Sequence, residues 1–183
     1  TEISGKKKFF ETVISGNKDF NRLDQRDKAF VKLVVLGTLR RNGQIQKVIY
    51  ELIKKPLRKN KNFILNLIRI SICQILYLDI KEYSIVNSAV ELSKPFKLEK
   101  FVNGLLRNIC RNKSKIKMMV FNESNIPKWI RNNIKKNLGN NVLKDIENTI
   151  IKEPFIDIKL KKDFIKDRNW EEMLNGEFIA DGL

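Results

Sequence analysis

The sequence predicts an all-α helical bundle followed by a small α+β fragment of two helices, a strand and a short helix. Three observations carry this prediction. From Asp24 to Arg111 apolar residues recur at the i, i+3, i+4, i+7 spacing of helices with one buried face. Glycine and proline fall at the ends of those apolar runs, where helices stop. Between Phe155 and Lys161 the period drops to two, the signature of a strand half-buried on one face.

Taken in order, Asp24 precedes a first helix with Phe30, Leu33, Val34 and Gly37 as its apolar positions, and Gly43 is expected to end it. A second helix carries Ile45, Val48, Ile49, Leu52 and Ile53 and stops before Pro56. The third runs from Phe63 to Leu78. A fourth, from about Ser84, turns Ile85, Val86, Ala89, Val90 and Leu92 inward and ends before Pro95. The fifth places Phe101, Val102, Leu105, Leu106, Ile109 and Cys110 on one stripe. Lys6 to Ser15 reads as a remnant of one more helix.

The polar, basic run from Asn112 to Lys117 reads as a linker. A new unit begins at Pro127, a residue suited to a first helical turn, with Trp129, Ile130, Ile134 and Leu138 inward and Gly139 closing it. A further helix carries Leu143, Ile146 and Ile150. The strand from Phe155 to Lys161, a short helix from Trp170 to Leu174 and a turn from Gly176 to Gly182 complete the reading. Residues 1–111 are thus expected as the helical domain, 112–126 as a basic linker, and 127–183 as the incomplete start of another subdomain.

Composition excludes several functions. A chain of 183 residues at 42% hydrophobic closes a core without a disulfide framework, and it has two cysteines. Both lie in apolar helical patterns and read as buried free thiols. There is no histidine, which removes histidine acid/base chemistry, the serine triad and the usual zinc clusters. Carboxylate, lysine and thiolate chemistry stay open, but no motif gathers such groups. The apolar window from Phe63 to Ile80 is interrupted by Asn66, Arg69, Ser71, Gln74 and Asp79, so it reads as a central bundle helix rather than a membrane span. Lys6-Lys7-Lys8 is followed by only Phe9-Phe10 before Glu11, too short for a secretory segment, and a cytoplasmic location is expected.

The net charge of +16 points to an acidic partner such as nucleic acid. It has a second source, however: 27 Lys, 24 Ile and 20 Asn against 10 Arg is the bias an A/T-rich genome produces. The arginines, used against that bias, are the better pointers.

Five segments then resemble one family: Arg26-Asp27-Lys28-Ala29-Phe30; Leu36-Gly37-Thr38-Leu39-Arg40; Leu67-Ile68-Arg69-Ile70 through Gln74-Ile75-Leu76-Tyr77-Leu78; Val86-Asn87-Ser88-Ala89-Val90-Glu91-Leu92; and Phe101-Val102-Asn103-Gly104-Leu105-Leu106-Arg107. Their order over residues 24 to 111 resembles the NusB-type helical fold. That family includes the transcription antitermination factor and the N-terminal RNA-binding domain of bacterial small-subunit rRNA cytosine-5 methyltransferases. Arg107, in Val-Asn-x-x-Leu-Arg, resembles the methyltransferase branch, as do Ile126-Pro127-Lys128-Trp129-Ile130 and Glu153-Pro154-Phe155 beyond it.

That resemblance implies an RNA partner, small-subunit rRNA, or RNA together with a ribosomal protein in the antitermination branch. The methyltransferase's S-adenosylmethionine loop, its nucleophilic cysteine and a second cysteine that follows proline are not matched; each cysteine here follows isoleucine. No catalytic, cofactor or metal residue is therefore assigned. Candidate RNA contacts are Arg40 and Arg41, beside the expected turn, and Arg107, Arg111, Lys113 and Lys115, at the end of one helix and its linker. Structural roles are expected for Asn87 and Asn103 in satisfying backbone groups, for Arg69 paired with an acid such as Glu91, and for Trp129 and Trp170 as core anchors.

Overall fold

The computed structural model describes residues 8–54 and 62–152, and those up to Ile151 belong to one compact unit. Among the described residues there are nine α-helices and no strand: α1 Phe10–Ser15, α2 Lys18–Arg22, α3 Gln25–Arg40, α4 Asn42–Leu52, α5 Asn62–Tyr77, α6 Glu82–Ser93, α7 Glu99–Arg111, α8 Lys113–Val120 and α9 Lys128–Ile150. A 3-10 turn, Lys94–Phe96, joins α6 to α7. α4 ends at Leu52, before Pro56 as expected, while the strand from Phe155 to Lys161, the helix from Trp170 to Leu174, the turn to Gly182 and Trp170 itself lie outside the described residues.

Short polar side chains start the early helices. Asn17 Oδ1 accepts from the Phe20 backbone N–H at 2.8 Å, and Asp24 Oδ1 from that of Asp27 at 2.7 Å, each satisfying a donor the helix cannot pair internally. The core is organised around α5, which packs against α3, α4, α6, α7 and α8. Ile64, Ile68, Ile72, Ile75 and Leu76 of α5 are almost fully buried, joined by Ile45 and Val48 from α4 and Val102, Leu106 and Ile109 from α7. Each such side chain contributes about 1.5–3 kcal/mol by leaving water. Gly37 lets α3 approach α5, since a Cβ there would lie 3.3 Å from Cys73 Sγ.

The corner between α3 and α4 differs from the sequence reading. α3 ends at Arg40 and Arg41 alone forms the break; Gly43, expected to end the helix, is inside α4. Its role is close approach rather than termination. A Cβ on Gly43 would sit 2.0 Å from the Ser124 carbonyl oxygen, so only glycine admits the loop after α8. The next residue, Gln44, is buried and locks the same contact. Its backbone N–H donates to Asn125 Oδ1 at 3.0 Å, and its Nε2 to the Val120 carbonyl at 3.2 Å. Asn125 thus caps α4 from 81 positions away in the chain.

The segment expected as a basic linker is a helix in its place. α8 buries Ile116 and Val120 against the core, and a flexible linker reading fails because these two residues, four apart, form an apolar stripe among the lysines. α9 is two helical pieces meeting at Gly139, whose φ of 85° breaks the helix as the sequence suggests. Leu143 is buried, and Glu147 accepts a hydrogen bond from Ser124 Oγ. Trp129 and Leu138, expected inward, are exposed, as are Leu92 and much of Phe30, Leu33 and Phe101. These residues flank buried stripes, and the helices they lie on bury a narrower face than their apolar content suggests.

The Gly43 contact yields a sharp expectation. Gly43→Ala should destabilise the fold by about 3 kcal/mol, the upper range for overpacking, because a backbone carbonyl must move to admit the methyl group. Gly104→Ala, where a Cβ meets nothing within 4 Å, should not destabilise at all. Urea melts of both variants would measure the difference.

Candidate nucleic-acid interface

Two corners of the bundle come to the same pole. Arg41 closes the α3–α4 corner with its guanidinium 4.0 Å from the ring centroid of Tyr77, near the C-terminal end of α5. Cation–π attraction holds it there, and its Nη1 donates to Gln44 Oε1 at 3.2 Å. Arg40, one residue earlier, makes no hydrogen bond or ion pair and is partly exposed. At the α7–α8 corner, Lys113 Nζ lies 3.4 Å from Glu82 Oε1 at the start of α6. Since only Leu78 to Lys81 separates α5 from α6, the two corners share one end of the molecule.

α8 is the strut between them. It begins at Lys113, beside Glu82, and ends at Val120, whose carbonyl receives the Gln44 bond. Eight residues of helix span about 12 Å. Lys115 and Lys117 are exposed along it, and Arg107 and Arg111 are exposed on the last turns of α7. From Arg107 to Val120 there are five cations and no acid. The six residues singled out in the sequence therefore fall on one basic arc: Arg40 and Arg41 at one end, Arg107, Arg111 and Lys113 at the other, and Lys115 between. Lys117, on the flank of α8 opposite Lys115 with Ile116 inward between them, is a further exposed cation at this pole, which a linker reading gives no face to place.

Not every member is equally free. Arg107 Nε donates to Asn103 Oδ1 at 2.8 Å, so Asn103 orients a side chain rather than a backbone group, while Asn87 is exposed and makes no hydrogen bond. Arg69 departs further from expectation. It does not pair with Glu91, whose carboxylate binds Lys94 at 2.7 Å; its guanidinium instead donates to Asn66 Oδ1 at 2.8 Å and Gln46 Oε1 at 3.1 Å. Lys94, three residues on from Glu91 along the same helix, is that acid's partner.

The buried ionisable groups near the arc are held neutral. Burial pushes the Tyr77 hydroxyl up to about 12, with Arg41 opposing it. Burial raises the Cys110 thiol to about 11, and Glu82 adds to the rise while Lys113 opposes it. Burial also raises Cys73, against opposing effects of Thr38 and Arg41. Neither thiol is poised as a nucleophile. Among the described residues no group of three or more His, Cys, Asp or Glu side chains could hold a metal ion, and no helix is long and apolar enough to cross a membrane.

An all-α bundle with a basic arc at one pole, its Lys113 paired with Glu82, is the class of molecule this geometry defines. The chain belongs to the NusB family, whose pattern matches residues 2–111. It is 33% identical over 131 residues to the transcription antitermination protein NusB of Buchnera aphidicola, covering 66% of this chain and 87% of that protein. It is also 29% identical over 115 residues to ribosomal RNA small subunit methyltransferase B of Proteus mirabilis, covering 59% of this chain and 27% of that protein. With the Shewanella oneidensis protein of the same name the identity is 30% over 113 residues, covering 57% and 26%. The chain thus spans about a quarter of the length of these methyltransferases.

Two measurements test this site. Arg41→Ala should cost about 1–2 kcal/mol of stability by removing the Tyr77 and Gln44 contacts, whereas Arg40→Ala should change stability by less than about 0.5 kcal/mol; thermal melts report both. In a Cys73→Ser background, iodoacetamide should modify Cys110 slowly at pH 8, with the rate rising towards a midpoint near pH 11. The sign follows from the raised value: the folded state keeps the thiol protonated, so stability falls as pH climbs from 9 through about 11. A midpoint near 9 would mean that the thiol is not desolvated.

Proposed function

We propose that this chain is the RNA-holding module of a small-subunit rRNA cytosine-5 methyltransferase. The basic arc is the observation that carries the reading. Phosphate contacts from Arg40, Arg111, Lys115 and Lys117 would supply affinity, and the shape of the pole would supply register, with little readout of base edges. The chemistry, with its S-adenosylmethionine, is assigned to residues other than these and the setting to the cytoplasm. Support for the methyltransferase branch comes from Arg107 in its Val-Asn-x-x-Leu-Arg setting and from the helices that continue past the family match, α8 and α9.

One observation favours a second reading, a transcription antitermination factor that binds RNA with a ribosomal protein. The antitermination protein of Buchnera aphidicola is 33% identical and is matched over 87% of its length. Both readings place RNA on the pole. They differ in whether affinity for RNA rises when a ribosomal protein is added.

Binding of a small-subunit rRNA fragment should show a steep dependence on salt. Reversing Arg40 and Arg111 together, Arg40→Glu with Arg111→Glu, should flatten the slope of log affinity against log salt by about 1–2 units. Both residues are free of ion pairs, so the fold should survive. An unchanged slope in the folded double variant would remove the arc from the interface, and a large gain in affinity on adding ribosomal proteins would favour the antitermination reading.

A further inference from the structure

Arg69 is a partly buried cation held by neutral side chains. It lies half-buried on α5, eight residues before Tyr77, and no carboxylate among the described residues pairs with it. Two neutral amides hold it instead: Asn66, one turn back on α5, at 2.8 Å, and Gln46, exposed on α4, at 3.1 Å. Its Nε is buried and has no hydrogen-bond partner. Amide oxygens fix the direction of the guanidinium without neutralising it, and burial alone lowers its proton affinity, with no acid opposing the shift. A guanidinium kept only for packing is better served by a carboxylate or by replacement with an apolar side chain. One that is oriented, unneutralised and partly open to solvent is arranged to take an anion from outside.

Position says which anion. Eight residues of helix place Arg69 about 12 Å along α5 from the Arg41–Tyr77 contact. Gln46 stands five residues after Arg41 on α4, so the α4–α5 surface runs from the arginine corner to Arg69. We propose that Arg69 is a second anchoring point for the RNA backbone: its guanidinium, aimed by Asn66 and Gln46, takes one phosphate group and extends the bound strand from the pole along α4 and α5. This inference rests on the RNA-binding reading of the basic arc, and it adds a residue whose sequence setting suggests an internal ion pair.

The test supplies the carboxylate that the fold omits. In Gln46→Glu the new side chain can pair with Arg69 and compete with phosphate, and the position is exposed, so the protein stays folded. Asn87→Glu, an exposed position on α6, controls for the change in net charge. The salt dependence of affinity for an rRNA fragment should fall in Gln46→Glu by about 0.7–0.9 units more than in Asn87→Glu, the loss of one phosphate contact. Equal slopes in the two variants, with salt-dependent binding intact in the unmodified chain, would overturn the Arg69 assignment and leave the arc standing. Absence of salt-dependent RNA binding in the unmodified chain would overturn both. Inorganic phosphate provides the remaining arm: if it raises the melting temperature of the unmodified chain but not of Gln46→Glu, while the RNA slopes stay equal, the guanidinium takes free phosphate and the backbone assignment is wrong.

Discussion

Burial of α5 is the constraint from which the rest of the structure follows. A helix that hides Ile64, Ile68, Ile72, Ile75 and Leu76 needs neighbours on nearly every side, and five other helices supply them. To wrap it, the chain must reverse direction beside both of its ends. At the C-terminal end the reversals are the α3–α4 and α7–α8 corners. Corners expose backbone and long polar side chains, which is why cations can gather there at little cost to the core.

The corner contacts convert that geometry into a defined surface. Gly43 admits the Ser124 backbone, Gln44 ties α4 to the end of α8, and Arg41 rests on Tyr77. Together with the burial of Ile116 and Val120, these contacts fix α8 against the bundle, so that its lysines form one side of an arc. Recognition of a folded RNA on this pole, as proposed, would require phosphate partners at fixed separations, which packing inside the corner supplies. Arg41 shows the link most directly, since it serves the interior through Tyr77 while its neighbour Arg40 faces outward.

Much of the bundle was legible because helical periodicity is a local signal. Val102, Leu105, Leu106 and Ile109 are buried as the stripe on α7 requires, and the break at Gly139 follows from the backbone freedom of glycine. What escaped the sequence is set by contacts distant in the chain. Gly43 looks like a helix terminator because the carbonyl it accommodates is Ser124, 81 residues on. The run from Asn112 to Lys117 looks like a linker because its lysines mask Ile116 and Val120, whose burial depends on α4 and α5. Arg69 looks like half of an ion pair with Glu91, but Lys94 claims that acid locally. Arg40, Arg41, Arg107, Arg111, Lys113 and Lys115 are candidates from sequence alone; that their two separate stretches share one pole is not legible there.

The central claim is that RNA lies on this pole. Ultraviolet cross-linking of a bound rRNA fragment, followed by mass spectrometry of the attached peptides, tests it most directly. RNA seated there should cross-link to peptides around Arg40 to Gln46 and Arg111 to Lys117. Cross-links confined to the opposite end, where Phe63 stacks on Phe96 with ring centroids 5.1 Å apart, would contradict it.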